Sequence, residues 1–271
     1  MNGLSVIVVT LNEERNIARC LKSVAWADEI VLVDSFSTDT TIEIAKTFTS
    51  KIFQYEYPGY SKQVERGIQQ AANEWIFILD ADEEVSTELA LSLRDTIAQP
   101  EAADGYYVNR KVQVFGKWIY HSGWYPDWQF RLMRKASLVA EHLEIHGAFT
   151  THGRKGRLEG ELFHYTYDTI EQYLEKINDY TSLHVSNKLK DEPDLRVGLG
   201  KIVFSPVSHF LRMFVVNKGY KDGIPGFFLS VYSALYTLLL YAKTWEYQFK
   251  KAGAAELPPV TNFELQRYKR L

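Results

Sequence analysis

The chain has 271 residues, of which 46% are hydrophobic and 24% charged, a composition typical of globular proteins and not of disordered ones. Its 31 basic and 34 acidic residues give a net charge of −3, which argues against nucleic acid as the principal partner. The single cysteine, Cys20, excludes an internal disulfide, and the first residues lack the basic and small-residue regions of a signal peptide, so we expect a reducing, cytosolic environment.

The first hundred residues alternate between short β-branched runs and segments with helical spacing. The predicted strands are residues 4–10, 29–34, 51–56 and 75–80. The predicted helices are residues 13–24, 39–48, 61–72 and 86–97. Strand–helix repeats of this length predict a parallel sheet with crossover helices, an α/β doubly wound unit. The aromatic-rich stretch from 105 to 165 predicts irregular β structure and loops that line a site.

Polar side chains follow three of the four predicted strands. Thr10 and Asn12 come after the first strand, Asp34 after the second, and Asp80 and Asp82 after the fourth. In open parallel sheets, ligands bind beyond the carboxyl ends of the strands. We therefore expect these side chains to converge on one rim of the sheet.

The fourth predicted strand ends in a run of acids: Asp80, Asp82, Glu83 and Glu84. A divalent cation that bridges a diphosphate takes hard oxygen ligands such as carboxylates. Acids also favour the positive N-terminus of a helix, and Ser86 is the predicted N-cap of the next one. Asp80 and Asp82 precede that turn and are assigned to a site, Glu84 is assigned to the helix, and Glu83 is left open.

The stretches SVIVVTLNEERNIARCLKSV, EIVLVDSFSTDTT and FILDADEEV occur in this order over roughly residues 3–98. Together they resemble the motifs of family 2 glycosyltransferases with the GT-A fold. The resemblance implies a Rossmann-like, mostly parallel central sheet with flanking helices. It also implies a nucleotide-diphospho-sugar donor, a divalent metal ion (Mg²⁺ or Mn²⁺) and inversion at the anomeric carbon.

The resemblance further implies which residues bind the nucleotide. Thr10, Asn12 and Glu13 would edge the nucleotide pocket, and Asp34 would accept a hydrogen bond from the uracil ring. The structural alternative for Asn12 is a cap on the first helix. Asp39 is expected to cap the second helix and is excluded from the ligands.

The metal and the diphosphate are assigned in the same way. Asp80 would contact the ribose or the metal, and Asp82 would ligate the metal. The stretch YSKQVERG, residues 60–67, matches the polar segment of the family under the donor, which makes Lys62 a weaker candidate for the diphosphate.

A narrower resemblance extends beyond residue 98. The stretches GWYPDWQFRLMR, IHGAF and KGYKDGIPGF are similar to a bacterial subfamily whose best-known members add glucose in a β-1,4 linkage to the inner core of lipopolysaccharide. Trp118, Trp124 and Trp128 lie close together in this part of the chain. Since aromatic faces stack on sugar rings, we expect one of the three to contact the acceptor, the alternative being ordinary core packing.

An inverting transfer needs a general base within hydrogen-bond reach of the acceptor hydroxyl. Asp127 is the first choice, because the wider family often places its catalytic acid a few residues before a Gln/Arg pair, here Gln129 and Arg131. Arg131 is a candidate to hold a phosphate, and His146 to bind the metal or the diphosphate. His164 is a weaker candidate for the same role as His146, since a lone histidine is more often structural.

The last third of the chain is predicted to be helical and apolar. A long amphipathic helix over 169–189 is followed by two apolar segments, 201–216 and 226–242. The second has seventeen residues without a charge, at the lower limit for a bilayer span, with tyrosine and lysine at its flanks. We expect a catalytic domain at 1–165 and a helical C-terminal region at 166–271. Contact with the membrane surface is favoured over a full span, the alternative being a buried helix.

These predictions converge on a metal-dependent, inverting glycosyltransferase that uses a UDP-sugar, expected to be UDP-glucose. The expected acceptor is the lipopolysaccharide core or another glycolipid or surface glycan, at the cytoplasmic face of the inner membrane, with peripheral or monotopic attachment. One alternative is a polyprenyl-phosphate acceptor, although such enzymes commonly lack the YPDWQFR and HYTY stretches. Another is a catalytically silent scaffold, which the retained metal acids disfavour.

Overall fold

The computed structural model describes residues 3–141, 148–167, 169–192 and 195–252. The strands are β1 (Leu4–Thr10), β2 (Glu29–Asp34), β3 (Ile52–Gln54), β4 (Trp75–Asp80), β5 (Glu83–Val85), β6 (Gly105–Val114), β7 (Lys117–Trp118), β8 (Asp127–Arg134), β9 (Leu138–Glu141), β10 (Ala148–Thr151) and β11 (Lys155–Tyr167). The helices are α1 (Ile17–Ser23), α2 (Thr41–Ala45), α3 (Tyr60–Gln70), α4 (Thr87–Ala98), α5 (Ile170–Asp191), α6 (Leu199–Leu211) and α7 (Gly223–Ala252).

A nine-stranded sheet has the order β3-β2-β1-β4-β8-β6-β11-β5, with β7 paired to β6. The strands β3, β2, β1 and β4 are parallel. Strand β8 runs antiparallel to both β4 and β6, and β11 runs antiparallel to β5. The predicted α/β fold, with helices flanking a parallel central sheet, is confirmed. The stretch from 105 to 165 contributes long antiparallel strands where the aromatic pattern predicted irregular β structure.

The parallel strands are covered on both faces, as their nearly continuous apolar sequences require. On one face, Val6 and Val8 of β1 pack with Leu21 of α1 and with residues of α4. On the other, Ile7 packs with Val64 of α3. Each face therefore has its own helical layer, and the strand ends between the layers are left to present side chains to a ligand.

The segment after β4 differs from the prediction at one residue. Ser86 is the N-cap of α4, as predicted, and its Oγ accepts a hydrogen bond from Leu89 N at 3.1 Å. The assignment of Glu84 to this helix is wrong. Glu84 lies in β5 opposite Phe163 of β11, and its carboxylate accepts a hydrogen bond from Tyr165 Oη at 2.6 Å. Pairing with β11 holds the segment extended, so the helix begins only at Thr87.

The chain divides into two compact units. Among the described residues, one is formed by the chain up to Lys111 and by Pro126–Tyr165, the other by Val112–Tyr125 and the chain from Thr166 to Ala252. In the second unit, a core forms between the 112–125 segment and two helices, with the buried residues Val112, Val114, Ile119, Tyr173, Ile177, Leu229 and Tyr232. The expected division into a catalytic domain at 1–165 and a helical region at 166–271 stays a prediction. The 112–125 segment belongs to the second unit.

Two apolar stretches of the second unit are long enough to cross a membrane. They are Leu199–Val216, with 18 residues, and Gly219–Lys250, with 32 residues, and only 6% and 22% of their most apolar windows is buried. Large apolar side chains are exposed along the first stretch at Leu199, Val203, Phe204, Val207, Leu211, Val215 and Val216. These helices therefore differ from the mostly buried core helix of a soluble domain.

Candidate active site

The parallel strands bring three of the predicted site residues to one edge of the sheet. Thr10, at the end of β1, is paired with Asp34, at the end of β2, and Val9 is paired with Asp80, at the end of β4. Since the three strands point the same way, their carboxyl ends share one rim. The side chains that follow them are therefore neighbours in space, as the strand pattern predicted.

Asp34 and Asn12 hold the loop after β2. Asp34 is fully buried, and its carboxylate accepts hydrogen bonds from Ser37 N and Gln54 Nε2, each at 2.9 Å, and from Ser37 Oγ. Asn12 has a positive φ of 53°, and its side-chain oxygen accepts a hydrogen bond from Thr38 N at 2.8 Å. Asn12 thus joins two loops of the rim and does not cap the first helix, which begins at Ile17.

The remaining residues predicted for the nucleotide edge lie beside this loop. Thr10 is 3% exposed, and within the described part of the chain its Oγ1 has no hydrogen-bond partner. Glu13 donates its backbone N–H to Thr41 Oγ1 at 2.8 Å. Asp39 accepts a hydrogen bond from Thr41 N at 3.0 Å, but the N-cap position of α2 is Thr40, one residue later than predicted. Burial raises the pKa of Asp39, but hydrogen bonds from Thr41 and Glu14 outweigh it and leave the pKa lowered.

Lys62 lies on α3 and is ion-paired with Glu65, three residues along the same helix, at 2.7 Å. Its side chain is 53% exposed. Lys62 is therefore paired within its own helix, and no contact between it and Asp34, Asp80 or Asp82 is found among the described residues. Its assignment to the diphosphate stays a prediction.

Asp80 is held by two side chains from other elements. Its Oδ1 accepts a hydrogen bond from Tyr60 Oη at 2.5 Å, and its Oδ2 accepts one from Arg131 Nη2 at 2.8 Å. Arg131 also donates to Tyr60 Oη at 3.0 Å. The guanidinium is buried beneath the acid, so Arg131 fixes Asp80 in addition to the phosphate role that the sequence suggested for it.

Glu83, left open by the sequence, is the centre of this network. It is fully buried and accepts hydrogen bonds from Asp80 N at 3.0 Å and from Arg131 Nη2 at 2.9 Å. Arg110 Nη1 lies 3.6 Å from Glu83 Oε1. Burial raises the pKa of Glu83 above its ordinary value, and the two arginines only partly oppose that rise. A glutamate this enclosed orders the site and is screened from a ligand.

Asp127, the predicted base, connects to the same network through Arg110. Arg110 Nη2 and Nε lie 2.7 and 2.8 Å from Asp127 Oδ2, and Gln129 Nε2 donates to Asp127 Oδ1 at 2.6 Å. The side chain of Asp127 is 28% exposed. It is therefore anchored on one side and open to solvent on another, as a group that exchanges protons with a substrate must be.

Asp82 pairs with a histidine that the sequence ranked low. His164 Nε2 lies 3.2 Å from Asp82 Oδ2, and their side chains are 15% and 17% exposed. Burial lowers the pKa of His164, but the carboxylate of Asp82 outweighs it and leaves the pKa raised. The pairing of His164 with Glu83 between β11 and β5 brings the imidazole here. In the sequence, the HYTY stretch was the only sign that this histidine belongs to the site. His146, the other predicted histidine, lies outside the described residues.

These residues fit a divalent metal ion of the kind the resemblance implies. Asp80 and Asp82 supply carboxylate oxygens, and the imidazole of His164 is hydrogen-bonded to Asp82. Among the described residues, no group of three or more histidine, cysteine, aspartate or glutamate side chains is placed to hold a metal ion. Mg²⁺ and Mn²⁺ commonly take one or two carboxylates from the protein and their other ligands from phosphate and water. A partial set of hard donors is what such an ion needs.

Comparisons with known proteins agree on one family. A model of the family described as "Glycosyl transferase family 2" matches residues 5–152. The lipopolysaccharide core biosynthesis glycosyltransferase LpsC of Rhizobium meliloti is 27% identical over 256 residues, which cover 92% of this chain and 94% of that protein. An uncharacterized glycosyltransferase of Rickettsia typhi is 27% identical over 269 residues, which cover 92% and 89%.

Among solved structures, that of S. aureus TarS in complex with UDP-GlcNAc is similar to this chain, with a TM-score of 0.49 and 17% sequence identity. The alignment covers 92% of each chain.

Proposed function

The chain belongs to glycosyl transferase family 2, and on that premise we propose that it transfers glucose from UDP-glucose, with inversion and with a divalent metal ion, to a lipopolysaccharide-core or related glycolipid acceptor. The coarser statement, that it is a glycosyltransferase of this family, needs no proposal. The donor, the sugar, the metal, the acceptor and the role of each residue belong to the proposal.

The observation that carries the proposal is the arrangement at the ends of β1, β2 and β4. Asp34 lies at the rim of the nucleotide side, and Asp80 and Asp82 follow β4 with His164 against Asp82. In this proposal Asp80 and Asp82 hold the metal ion, which when bound neutralises charge on the departing diphosphate, and His164 orients Asp82. Arg131 and Tyr60 keep the carboxylate of Asp80 in place before any ligand arrives.

Asp127 is the proposed general base. Its carboxylate takes the proton from the acceptor hydroxyl as that oxygen forms the new bond to the anomeric carbon and the diphosphate leaves from the opposite side. Arg110 and Gln129 hold the carboxylate by hydrogen bonds of 2.6 to 2.8 Å. These bonds fix the direction from which the hydroxyl must approach, which reduces the entropy lost on reaching the transition state.

The acceptor is proposed from the relative that spans nearly the whole chain. LpsC is named for lipopolysaccharide core biosynthesis, and 94% of its length is matched. The two apolar stretches Leu199–Val216 and Gly219–Lys250 suit a protein that works on a lipid-linked glycan at a membrane surface. We propose attachment at the cytoplasmic face, where UDP-sugars are made.

The proposal is tested by the release of UDP from UDP-glucose, with Mg²⁺ or Mn²⁺ and a lipopolysaccharide acceptor truncated in its inner core. We expect Asp127→Asn to lower kcat by about 10²–10⁴-fold with little change in donor binding, since the base acts only on the acceptor. Asp82→Asn should instead weaken metal-dependent UDP binding, measured by calorimetry. Asp95→Asn, on the exposed face of α4, is the matched control and should leave both quantities unchanged.

Four outcomes would overturn parts of the proposal. Asp82→Asn protein with wild-type metal dependence removes Asp82 from the metal site. Full activity of Asp127→Asn protein moves the base elsewhere. Wild-type protein that binds no UDP in the presence of metal is a silent scaffold, and one that glucosylates polyprenyl phosphate in preference to lipopolysaccharide has a different acceptor.

A further inference from the structure

A concave surface of the first unit lies on the face of the sheet opposite Asp127. In the pairing of β6 with β8, Arg110 is opposite Asp127 and Asn109 is opposite Trp128. Successive side chains of a strand point to opposite faces. Asp127 and Arg110 therefore share one face, and Trp128 belongs to the other.

A cavity of about 460 Å³ occupies that second face. It is lined by Tyr107, Trp128, Lys155, Gly156 and Arg157, which we call the back-face cavity. Its volume falls within the range of small-molecule binding sites. None of its five lining residues belongs to the network around Asp80 and Asp127.

Two cationic side chains of β11 contact aromatic rings of β8. The guanidinium carbon of Arg157, on β11, lies 4.5 Å from the centre of the Trp128 ring. Lys155 Nζ lies 5.4 Å from the centre of the Phe130 ring, and Phe130 meets Tyr107 edge to face at 5.1 Å. An arginine that stacks on an indole keeps its N–H groups in the plane of the guanidinium, where they can bind a carboxylate or phosphate with two hydrogen bonds.

In the part of the chain that the structure describes, no acid neutralises the two cations of the back-face cavity. Among the described residues, neither Lys155 nor Arg157 forms an ion pair, and the ammonium group of Lys155 donates only to Thr150 Oγ1 at 2.7 Å. Glu161, an acid further along β11, is paired with Lys111 at 2.9 Å. A chain with a net charge of −3 therefore has a local positive site beside exposed aromatic surface.

An exposed arginine on a tryptophan contributes only about 0.5–1 kcal/mol as a cation–π pair, so stability alone is a weak reason for this arrangement. Aromatic walls suit the apolar face of a sugar ring, and unpaired cations suit an anionic group on that ring. We propose that the back-face cavity is a second carbohydrate site, which binds a sugar carrying a phosphate or a carboxylate. Such sugars would come from an anionic acceptor glycan if the proposed function holds, but the site itself is separate from the transfer site.

The test is a binding titration by calorimetry and saturation-transfer NMR, without any transfer reaction. The protein is held with saturating UDP and Mg²⁺, and the probes are glucose 6-phosphate, glucuronate, glucose and inorganic phosphate. We expect one or both sugar anions to bind saturably and neutral glucose and inorganic phosphate to bind much more weakly. Whether the phosphate or the carboxylate form binds better identifies the source of the charge.

Arg157→Gln should weaken binding of the preferred sugar anion at least about tenfold, because it removes the charged fork. Arg157→Lys should restore part of the affinity by keeping the charge. Arg94→Gln, an exposed arginine of α4, removes the same charge elsewhere and should change nothing. Arg157 is exposed, so these variants test binding without disturbing the core.

The proposal fails if neither sugar anion binds saturably, or if Arg157→Gln and Arg94→Gln reduce binding equally. Equal binding of inorganic phosphate and glucose 6-phosphate would make the cavity an anion site and not a carbohydrate site. Much stronger binding of the sugar anion when UDP is left out, or loss of binding in Asp82→Asn protein, would assign the ligand to the transfer site. Because no turnover is measured, these outcomes are independent of whether the enzyme proposal succeeds.

Discussion

Asp80 and Glu83 lie three residues apart and both accept hydrogen bonds from Arg131, yet their pKa values move in opposite directions. Burial raises the pKa of both carboxyls. For Asp80, the attraction of Arg131 and the hydrogen bond from Tyr60 outweigh burial and leave the pKa lowered. Glu83 is fully enclosed and lies close to the negative charge of Asp80, so its pKa remains raised. The same arginine thus stabilises the ionised form of the acid that faces the rim more than that of the acid behind it.

A second acid, Glu29, provides a pH-dependent test of stability. Its carboxylate accepts hydrogen bonds from Ala72 N at 2.8 Å, from Ser5 Oγ and from Lys51 Nζ. Burial raises its pKa, but these bonds outweigh burial and hold the pKa below the ordinary 4.5. Because the folded-state pKa is lowered, the ionised carboxylate stabilises the fold above pH 4.5, and that contribution is lost as the pH falls through the folded-state value.

Glu29→Gln should therefore lower the free energy of unfolding by about 1–2 kcal/mol at neutral pH, with the difference from wild type shrinking below pH 4.5. Chemical denaturation across this pH range measures it. Glu101→Gln, an exposed acid, is the control and should give a small difference at every pH. A loss for Glu29→Gln that stays constant with pH would show that shape and not charge is responsible.

At the level of single residues, the sequence predicted the side chains that follow directly from strand ends. Thr10, Asp34 and Asp80 share a rim because their strands are parallel, which is a local property of the chain. His164 was only a weaker candidate, and neither its pairing with Asp82 nor the centrality of Glu83 was predicted. Both depend on β11 pairing with β5, a contact between segments about eighty residues apart that no local pattern encodes.

Among the elements, α3 approaches the sheet closely at Gly67. A Cβ atom on Gly67 would overlap Ile7 Cγ2 and lie 3.0 Å from Val33 Cγ2. Alanine is favoured over glycine in a helix by about 0.8–1 kcal/mol, whereas overfilling a packed core costs about 1–3 kcal/mol. Close packing against the sheet therefore requires glycine at position 67, although helix propensity favours alanine.

Gly67→Ala should destabilise the protein by about 1–2 kcal/mol in denaturant unfolding, since the overlap outweighs the gain in propensity. Gly200, in α6, is the matched control, because a Cβ atom added there would have nothing within 4 Å of it. Gly200→Ala should leave stability unchanged or slightly raised. Equal effects of the two substitutions would mean that α3 can move away from the sheet without cost.

Some strands and helices could be predicted from the local sequence pattern, and others could not. The strands and helices up to residue 98 follow from alternating apolar runs and helical spacing, and the observed strands β1, β2 and β4 have the predicted bounds. The antiparallel strands β6, β8 and β11 were not predicted individually. Strand β8 inserts between β4 and β6, and such an order depends on distant pairing and not on the amphipathic pattern of any one strand.

For the whole molecule, the exposed apolar side chains of α6 make membrane attachment testable. Phe204 is 72% exposed and Val207 is 55% exposed, and both lie on this helix. Burying a large apolar side chain is worth about 1.5–3 kcal/mol, so two such residues can alter a partition coefficient by roughly tenfold or more.

The double change Phe204→Asp and Val207→Asp should lower co-sedimentation with anionic phospholipid vesicles at least about tenfold, because it removes apolar area and adds negative charge. Leu91→Asp, an exposed apolar residue of α4, is the matched control and should bind vesicles like wild type. Unchanged binding of the double variant would exclude α6 as the attachment surface.

The 112–125 segment also has a consequence for biosynthesis. It leaves the ribosome before β8 and β11, but its buried residues Val112 and Ile119 pack against Tyr173 and Leu229, which are translated much later. Since domains fold progressively from the N-terminus as they emerge, the nascent first unit carries an unfinished apolar loop until α5 and α7 have been made. We expect this apolar surface to be exposed to solvent during that interval.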